Sequence, residues 1–273
     1  ELEAWLGQPG GRMFVVTGDP GTGKSAYLAH VVRTNPRVVA HHFCVAGVAE
    51  TLDPVRFVGS ISAQLAAKRD DYRRASAETE QDSLTRADPG SLFRRVMVEP
   101  LRAISESATP ILFVVDALDE SITAGESNIA RVLRDRIDDL PAWVRLLVST
   151  RKDPNVLDLF GRVSVREIEV TRPENLRDLA GYLAIMSRDA AWLAALTRTG
   201  ANSTAVAQAI IEKAGGNFLY ARHTVDAIRG GEIDPRHPDR FPDGLAGIYQ
   251  RCFEQAFPKG DGYATFRPLL DVL

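Results

Sequence analysis

Three clusters of residues in this chain have the types and spacings that phosphate chemistry requires. The first is the run GDPGTGKSA (18–26), which carries the spacing G-x-x-x-x-G-K-S. Glycines let successive backbone N–H groups turn inward, and a helix start adds partial positive charge, so such a bend cradles a polyphosphate. Gly18, Asp19, Pro20, Gly21, Thr22, Gly23, Lys24, Ser25 and Ala26 are therefore the candidate nucleotide-binding residues. Lys24 would reach the outer phosphates, and the Ser25 hydroxyl would hold Mg²⁺. The second cluster is ILFVVDALDES, an apolar run that ends in Asp116. A carboxylate at the end of a strand suits a Mg²⁺ water shell beside Ser25, so Ser25 and Asp116 are the candidate metal ligands. Asp119 and Glu120 follow on the segment leaving that strand, where either could orient or deprotonate an attacking water. The third is RLLVSTR, which delivers Arg151. A guanidinium at that edge offers several N–H donors to a terminal phosphate and would report whether the third phosphate is present. Asp119, Glu120 and Arg151 are the candidate catalytic residues.

These groups need a frame that brings distant segments to one edge. Strand-like runs occur at 12–17, 37–44, 111–116, 144–150 and 165–170, separated by helical patterns at about 24–33, 54–68, 91–105 and 128–140. Such alternation indicates an α/β fold with a parallel sheet covered on both faces. In the last helical pattern Ile129, Val132, Leu133, Ile137 and Leu140 share one face. ILFVVD and VRLLVST are nearly unbroken apolar runs, as buried central strands are, whereas VVAHHFC is more polar and belongs nearer an edge. After residue 170 the strands stop. RPENLRDLAGYLAIMSRD, STAVAQAIIEKAGG and FLYARHTVDAIRGG read as helices, with Gly215–Gly216 and Gly230–Gly231 as stop signals. The expected division is a nucleotide-binding domain over 1–170, a helical domain over 171–262 and the start of a further domain over 263–273. The charged stretch AAKRDDYRRASAETEQDSLTRADPG reads as a solvated helix end and loop.

Composition narrows the partners. The chain has 273 residues, 45% hydrophobic and 25% charged, with a net charge of −3, as a globular protein with a sizeable core would have. No long basic run is present, which argues against nucleic acid as a dominant partner. No apolar run is long enough to span a bilayer, so no membrane partner is expected. Two well-separated cysteines, Cys44 and Cys252, fit a reducing, cytoplasmic setting. His41, His42 and Cys44 do not form a metal set, because on a strand His42 and Cys44 share a face while His41 points away. Trp5, Trp143 and Trp192 read as packing residues. The chain starts at Glu1 and stops at RPLLDVL, and is expected to be a piece of a longer protein.

Taken together, GDPGTGKSA, AHHFC, FVVDALDES, LLVSTR and GGNFLYA resemble, in order and spacing, the NACHT NTPases of the STAND class, in their nephrocystin-like, bacterial multidomain branch. The D-x-x-D-E form of Asp116, Asp119 and Glu120 separates this likeness from AAA+ proteins, where a glutamate directly follows the first aspartate. The resemblance implies a five-stranded parallel sheet between helices, with the Arg151 strand lying between the phosphate-loop strand and the Asp116 strand, followed by a small all-helical domain. It implies that GGNFLYA (215–221) packs near adenine and ribose; members often carry a proline near that bend, where Asn217 and Phe218 stand here. It also implies a winged-helix domain that clamps ADP, of which YATFRPLLDVL would be the opening helix. The expected function is an ATP- and ADP-binding, slowly hydrolysing, Mg²⁺-dependent switch in signalling or immunity. Its full-length form would homo-oligomerise on activation by a trigger ligand that these residues do not identify. Two alternatives stay open: an AAA+ or origin-recognition-like motor ATPase acting on DNA or protein, and a nucleotide-stabilised scaffold that does not turn over. DNA-stimulated turnover would mark the first, and bound nucleotide that persists unhydrolysed would mark the second.

Overall fold

The computed structural model describes residues 1–8, 10–77, 88–105, 109–122, 127–161, 164–167 and 173–256. The apolar runs become strands β1 (Met13–Thr17), β2 (Val38–Phe43), β3 (Ile111–Asp116), β4 (Val144–Thr150) and β5 (Ser164–Glu167), and every pairing is parallel. The order is β2-β3-β4-β1-β5. Every residue of β1, β3 and β4 is buried, because helices cover both faces of a parallel sheet. β2 sits at an edge and its last three residues are half-buried, which accounts for its more polar run. The short β5 pairs along the outer side of β1. Residues 168–170 of the expected last strand, 78–87 of the charged stretch, and 263–273 all lie outside the described residues.

The helices of this unit include α1 (Leu2–Leu6), α2 (Lys24–Thr34), α3 (Pro54–Lys68), α4 (Leu118–Ile122) and α5 (Ile129–Arg136). One face of the sheet packs against α1 and α2 through Leu2, Trp5, Phe14, Val16, Leu28 and Leu147. The other face carries the larger cluster, built around Phe57, Ile61, Leu65, Phe113, Val115 and Leu133. Buried Arg145, at the start of β4, ties α1 down: its Nη1 donates to Trp5 O at 2.6 Å and its guanidinium lies 5.1 Å from the Trp5 ring centroid. All three tryptophans are buried, as packing residues are.

Two local departures have physical causes. The helical pattern at 91–105 is interrupted by a π-turn at Arg94–Val98. Pro100 has no N–H to offer the Val96 carbonyl four residues back, and the Tyr72 hydroxyl donates to that carbonyl instead. Tyr72 also corrects the expectation of a wholly solvated charged stretch. It lies on a short helix (Asp70–Ser76) yet is fully buried, with burial pushing its hydroxyl up to about 12.

The second unit gathers residues 169–273 with the loop residues Pro20–Gly23. Its described helices are α6 (Pro173–Met186), α7 (Ala190–Thr199), α8 (Ser203–Ala214), α9 (Phe218–Gly230) and α10 (Gly244–Ala256). Asp189, Asn202 and Asn217 cap the first turns of α7, α8 and α9, and Gly200, Gly215 and Gly231 close them in left-handed conformation. Leu179, Trp192, Val206, Ile210, Tyr220 and Ile228 form its core. Within this unit Phe218 N–H donates to Gly21 O and the Asn217 amide donates to Pro20 O, both at 2.9 Å. Gly21 has φ +79°, and a Cβ there would lie 2.4 Å from Asn217 Oδ1, so glycine is required on both counts.

β4 lies between the strand that leads into the glycine loop and the strand that ends in Asp116. Leu147→Ala, at a fully buried position of β4, is expected to lower unfolding free energy by about 2–5 kcal/mol in urea denaturation. A loss under about 1 kcal/mol would mean that β4 is not a packed central strand.

Candidate functional site

Parallel register sets the site's geometry. Val115 pairs with Val148 and Val16 pairs with Ser149, so the ends of β1, β3 and β4 finish at one level. Ligands of open α/β sheets bind beyond that carboxyl edge. From it emerge the glycine loop after Thr17, the acidic segment after Val115, and Arg151 after Thr150.

In the glycine loop, Lys24 opens α2 and folds its ammonium onto the loop's own carbonyls, donating to Gly18 O at 2.6 Å and Asp19 O at 2.9 Å. Burial lowers the Lys24 pKa; Asp119 opposes that shift, Arg151 adds to it, and Asp116 and Asp19 oppose it more weakly. Lys24 therefore lies in the field of both other groups. Thr22 is buried and its hydroxyl has no partner among the described residues. Ser25 and Ala26 are exposed in the first turn of α2, and among the described residues neither side chain bonds to the acidic group.

Asp116 is only 3% exposed. Its Oδ1 accepts a hydrogen bond from the Ser149 hydroxyl, and the same hydroxyl accepts Ala117 N–H at 2.9 Å. Ala117 has φ +52°, a conformation that costs a non-glycine residue energy and that clusters at functional sites. This turn starts α4, whose first turn carries Asp119 and Glu120. Both acids converge on Arg151. Arg151 N–H donates to Asp119 Oδ1 at 3.0 Å, its Nε lies 3.1 Å from Asp119 Oδ2, and its Nη2 lies 2.7 Å from Glu120 Oε1.

The donor set fits Mg²⁺. A buried carboxylate and a hydroxyl are hard oxygen ligands of the kind that hold this ion together with substrate phosphates. Among the described residues, Asp116 has no ion-pair partner and its Oδ2 takes no hydrogen bond. Softer chemistry finds a different setting. Burial, helped by Asp116, Asp119 and Glu120, pushes the Cys44 thiol up to about 12, which keeps it protonated and unreactive. His42 donates from Nε2 to Thr51 O at 2.7 Å, and His41 is tied through its backbone to Gln64.

Of the residues expected from the sequence, the structure brings Asp116, Asp119, Glu120 and Arg151 to the edge that the glycine loop leaves, while Ser149 and the Asn217 bond to Pro20 were not expected. Ser149 gave no signal in its own stretch of sequence, because its place depends on how the strands pair. It is one strand away from Asp116 at the same level, so both side chains share a sheet face.

The sheet order, the glycine loop and the acidic strand end define the fold of the P-loop ATPases. The model of the family described as "Nephrocystin 3, N-terminal" matches residues 1–151, more than half of the chain, and the chain belongs to that family. Among solved structures it is similar to the Walker-type ATPase PABY2304 of Pyrococcus abyssi, at 13% identity and a TM-score of 0.55 over 96% of this chain and 74% of that one. It also matches Cdc6p from Pyrobaculum aerophilum (14% identity, TM-score 0.47, 85% of this chain and 59% of that one). A further match is Drosophila ORC bound to DNA (13% identity, TM-score 0.43, 80% and 50%). A search of curated protein sequences gave no match. No described helix is long and apolar enough to cross a membrane.

The Arg151 side chain is 56% exposed, so its pairing with Glu120 is weakened by solvent. A double-mutant cycle with Arg151→Ala and Glu120→Gln, read by urea denaturation, is expected to give a coupling of about 0.2–1 kcal/mol. A coupling above about 3 kcal/mol would mark the pair as a fixed structural lock.

Proposed function

We propose that this chain is the nucleotide-binding switch module of a larger STAND-type signalling protein, binding ATP or ADP with Mg²⁺ and hydrolysing ATP slowly. The observation that carries the reading is the engagement of Arg151 by Asp119 and Glu120 at the sheet edge from which the glycine loop also emerges. In this reading residues 18–26 wrap the phosphates. Lys24 exchanges its loop carbonyls for outer phosphate oxygens, an exchange of neutral acceptors for charged ones that strengthens each bond. Ser25 and Asp116 would hold Mg²⁺, which would supply charge neutralisation for the phosphates. Asp119 and Glu120 orient or deprotonate the attacking water.

Arg151 is the sensor of the third phosphate. With ADP nothing competes for the guanidinium and the carboxylates keep it. With ATP a multiply charged oxygen cluster competes, and a weak exposed pair is readily given up. Releasing Arg151 also withdraws its positive charge from Asp119 and Glu120, which raises their basicity toward the water. A ligand moves a conformational equilibrium only through its difference in affinity between states, and this exchange supplies one. In the full-length protein that difference would be read out as a change of domain arrangement and self-association. The trigger ligand belongs to the full-length protein.

Two measurements test this. Mg²⁺–nucleotide at 100 times its dissociation constant is expected to stabilise the parent by about 2.7 kcal/mol, a melting shift of roughly 5–10 °C, and Lys24→Ala should lose most of it. An equal shift in the variant would contradict the assignment. Arg151→Ala is expected to narrow the gap between ATP and ADP affinity, by about 1–3 kcal/mol, while leaving ADP affinity near the parental value. An unchanged affinity ratio would remove Arg151 as the sensor.

A further inference from the structure

Ser149 has no role in the reading above, yet it is 1% exposed and sits between two of its components. Its single hydroxyl makes two bonds of opposite sense, donating to Asp116 Oδ1 and accepting Ala117 N–H at 2.9 Å. A serine hydroxyl has one proton to give, and here it is spent on the carboxylate. The strand register enforces the meeting: Val115 pairs with Val148, so Asp116 and Ser149 follow at the same level on adjacent strands about 4.8 Å apart. On its other side Ser149 pairs with Val16, one residue before the end of β1, which leads into the glycine loop.

We infer that Ser149 is a positioning residue for the metal carboxylate, holding Asp116 by one oxygen so that the other faces the cation. This rests on the reading that Asp116 serves Mg²⁺. A free carboxylate on a short side chain turns about its terminal bond and wobbles between orientations. One strong hydrogen bond at Oδ1 removes that freedom and leaves Oδ2, which takes no hydrogen bond among the described residues, as the ligand atom. Ligating carboxylates are oriented in this way by partners outside the coordination shell, and loss of such a partner typically weakens metal binding 10- to 100-fold. The bond to Ala117 adds a second effect. It holds the left-handed turn (φ +52°) from which α4 presents Asp119 and Glu120 to Arg151. One hydroxyl thus fixes both the carboxylate and the turn that follows it.

The two effects separate by mutation. Nucleotide affinity is measured by titration calorimetry in EDTA and across a Mg²⁺ series, for the parent, Ser149→Ala, Ser149→Thr and Asp116→Asn. Ser149→Ala is expected to raise the Mg²⁺ concentration for half-maximal affinity gain by about tenfold or more, with EDTA affinity within about twofold of the parent. Ser149→Thr keeps the hydroxyl on a residue suited to a strand and should restore most of the response. Ala117→Gly takes positive φ without strain, so Ser149→Ala/Ala117→Gly should recover thermal stability while keeping the weakened Mg²⁺ response. That pair, compared with Ala117→Gly alone, carries the test if Ser149→Ala does not fold. A parental Mg²⁺ midpoint in Ser149→Ala, or in the double variant relative to Ala117→Gly, overturns the inference while Asp116→Asn still loses its response. Loss of affinity in EDTA equal to that in Mg²⁺ also overturns it, since that marks a merely structural role. If the parent shows no Mg²⁺-dependent binding, or Asp116→Asn keeps the full response, the underlying reading fails and the inference with it.

Discussion

A carboxylate buried to 3% exposure at the end of a central strand is the constraint around which the rest of this site is arranged. Removing an ionised group from water is costly unless hydrogen bonds and opposite charge compensate it. Asp116 receives the Ser149 hydroxyl directly, and Lys24 lies within its field. Both come from neighbours that the strand order supplies: Ser149 from β4 on one side, Lys24 from the loop beyond β1 one strand further. A sequential order of strands would not have brought these segments together. The crossover that inserts β4 between β1 and β3 is therefore what assembles this edge.

The same edge manages three further charges. Asp119 and Glu120 would repel each other and Asp116 if left alone, and Arg151 offsets both. The arrangement is asymmetric in burial, with Asp119 more deeply set than Glu120 and Arg151 more exposed than either. Exposure keeps the arginine's hold on the acids weak, as the proposed exchange for a terminal phosphate requires. A deeply buried version of this triad would be costly to break and would not suit the proposed exchange.

Much of this was legible in the sequence because it depends on local spacing. The glycine loop, the apolar run ending in Asp116 and the polar edge strand VVAHHF each follow from composition and period, and they occupy the expected places. Arg151 was legible as an arginine delivered by a buried strand. Its partners were not, because the turn at Ala117 that aims α4 is left-handed at an alanine, which no propensity signals. Ser149 was hidden for a different reason. Its role depends on register between strands over thirty residues apart, and an apolar run specifies a strand without specifying its neighbour. The π-turn at 94–98 required seeing that a missing N–H at Pro100 would be answered by Tyr72, from another helix.

If Arg151 trades its carboxylate partners for a terminal phosphate, the position of its guanidinium in the two nucleotide states is the most direct measurement. Crystal structures of the chain with Mg²⁺–ADP and with a Mg²⁺-bound, non-hydrolysable ATP analogue would show this. The expected result is that Arg151 stays on Asp119 and Glu120 with ADP and moves to the third phosphate with the analogue. An ion pair that persists unchanged in both, or nucleotide bound away from residues 18–26, would contradict the account.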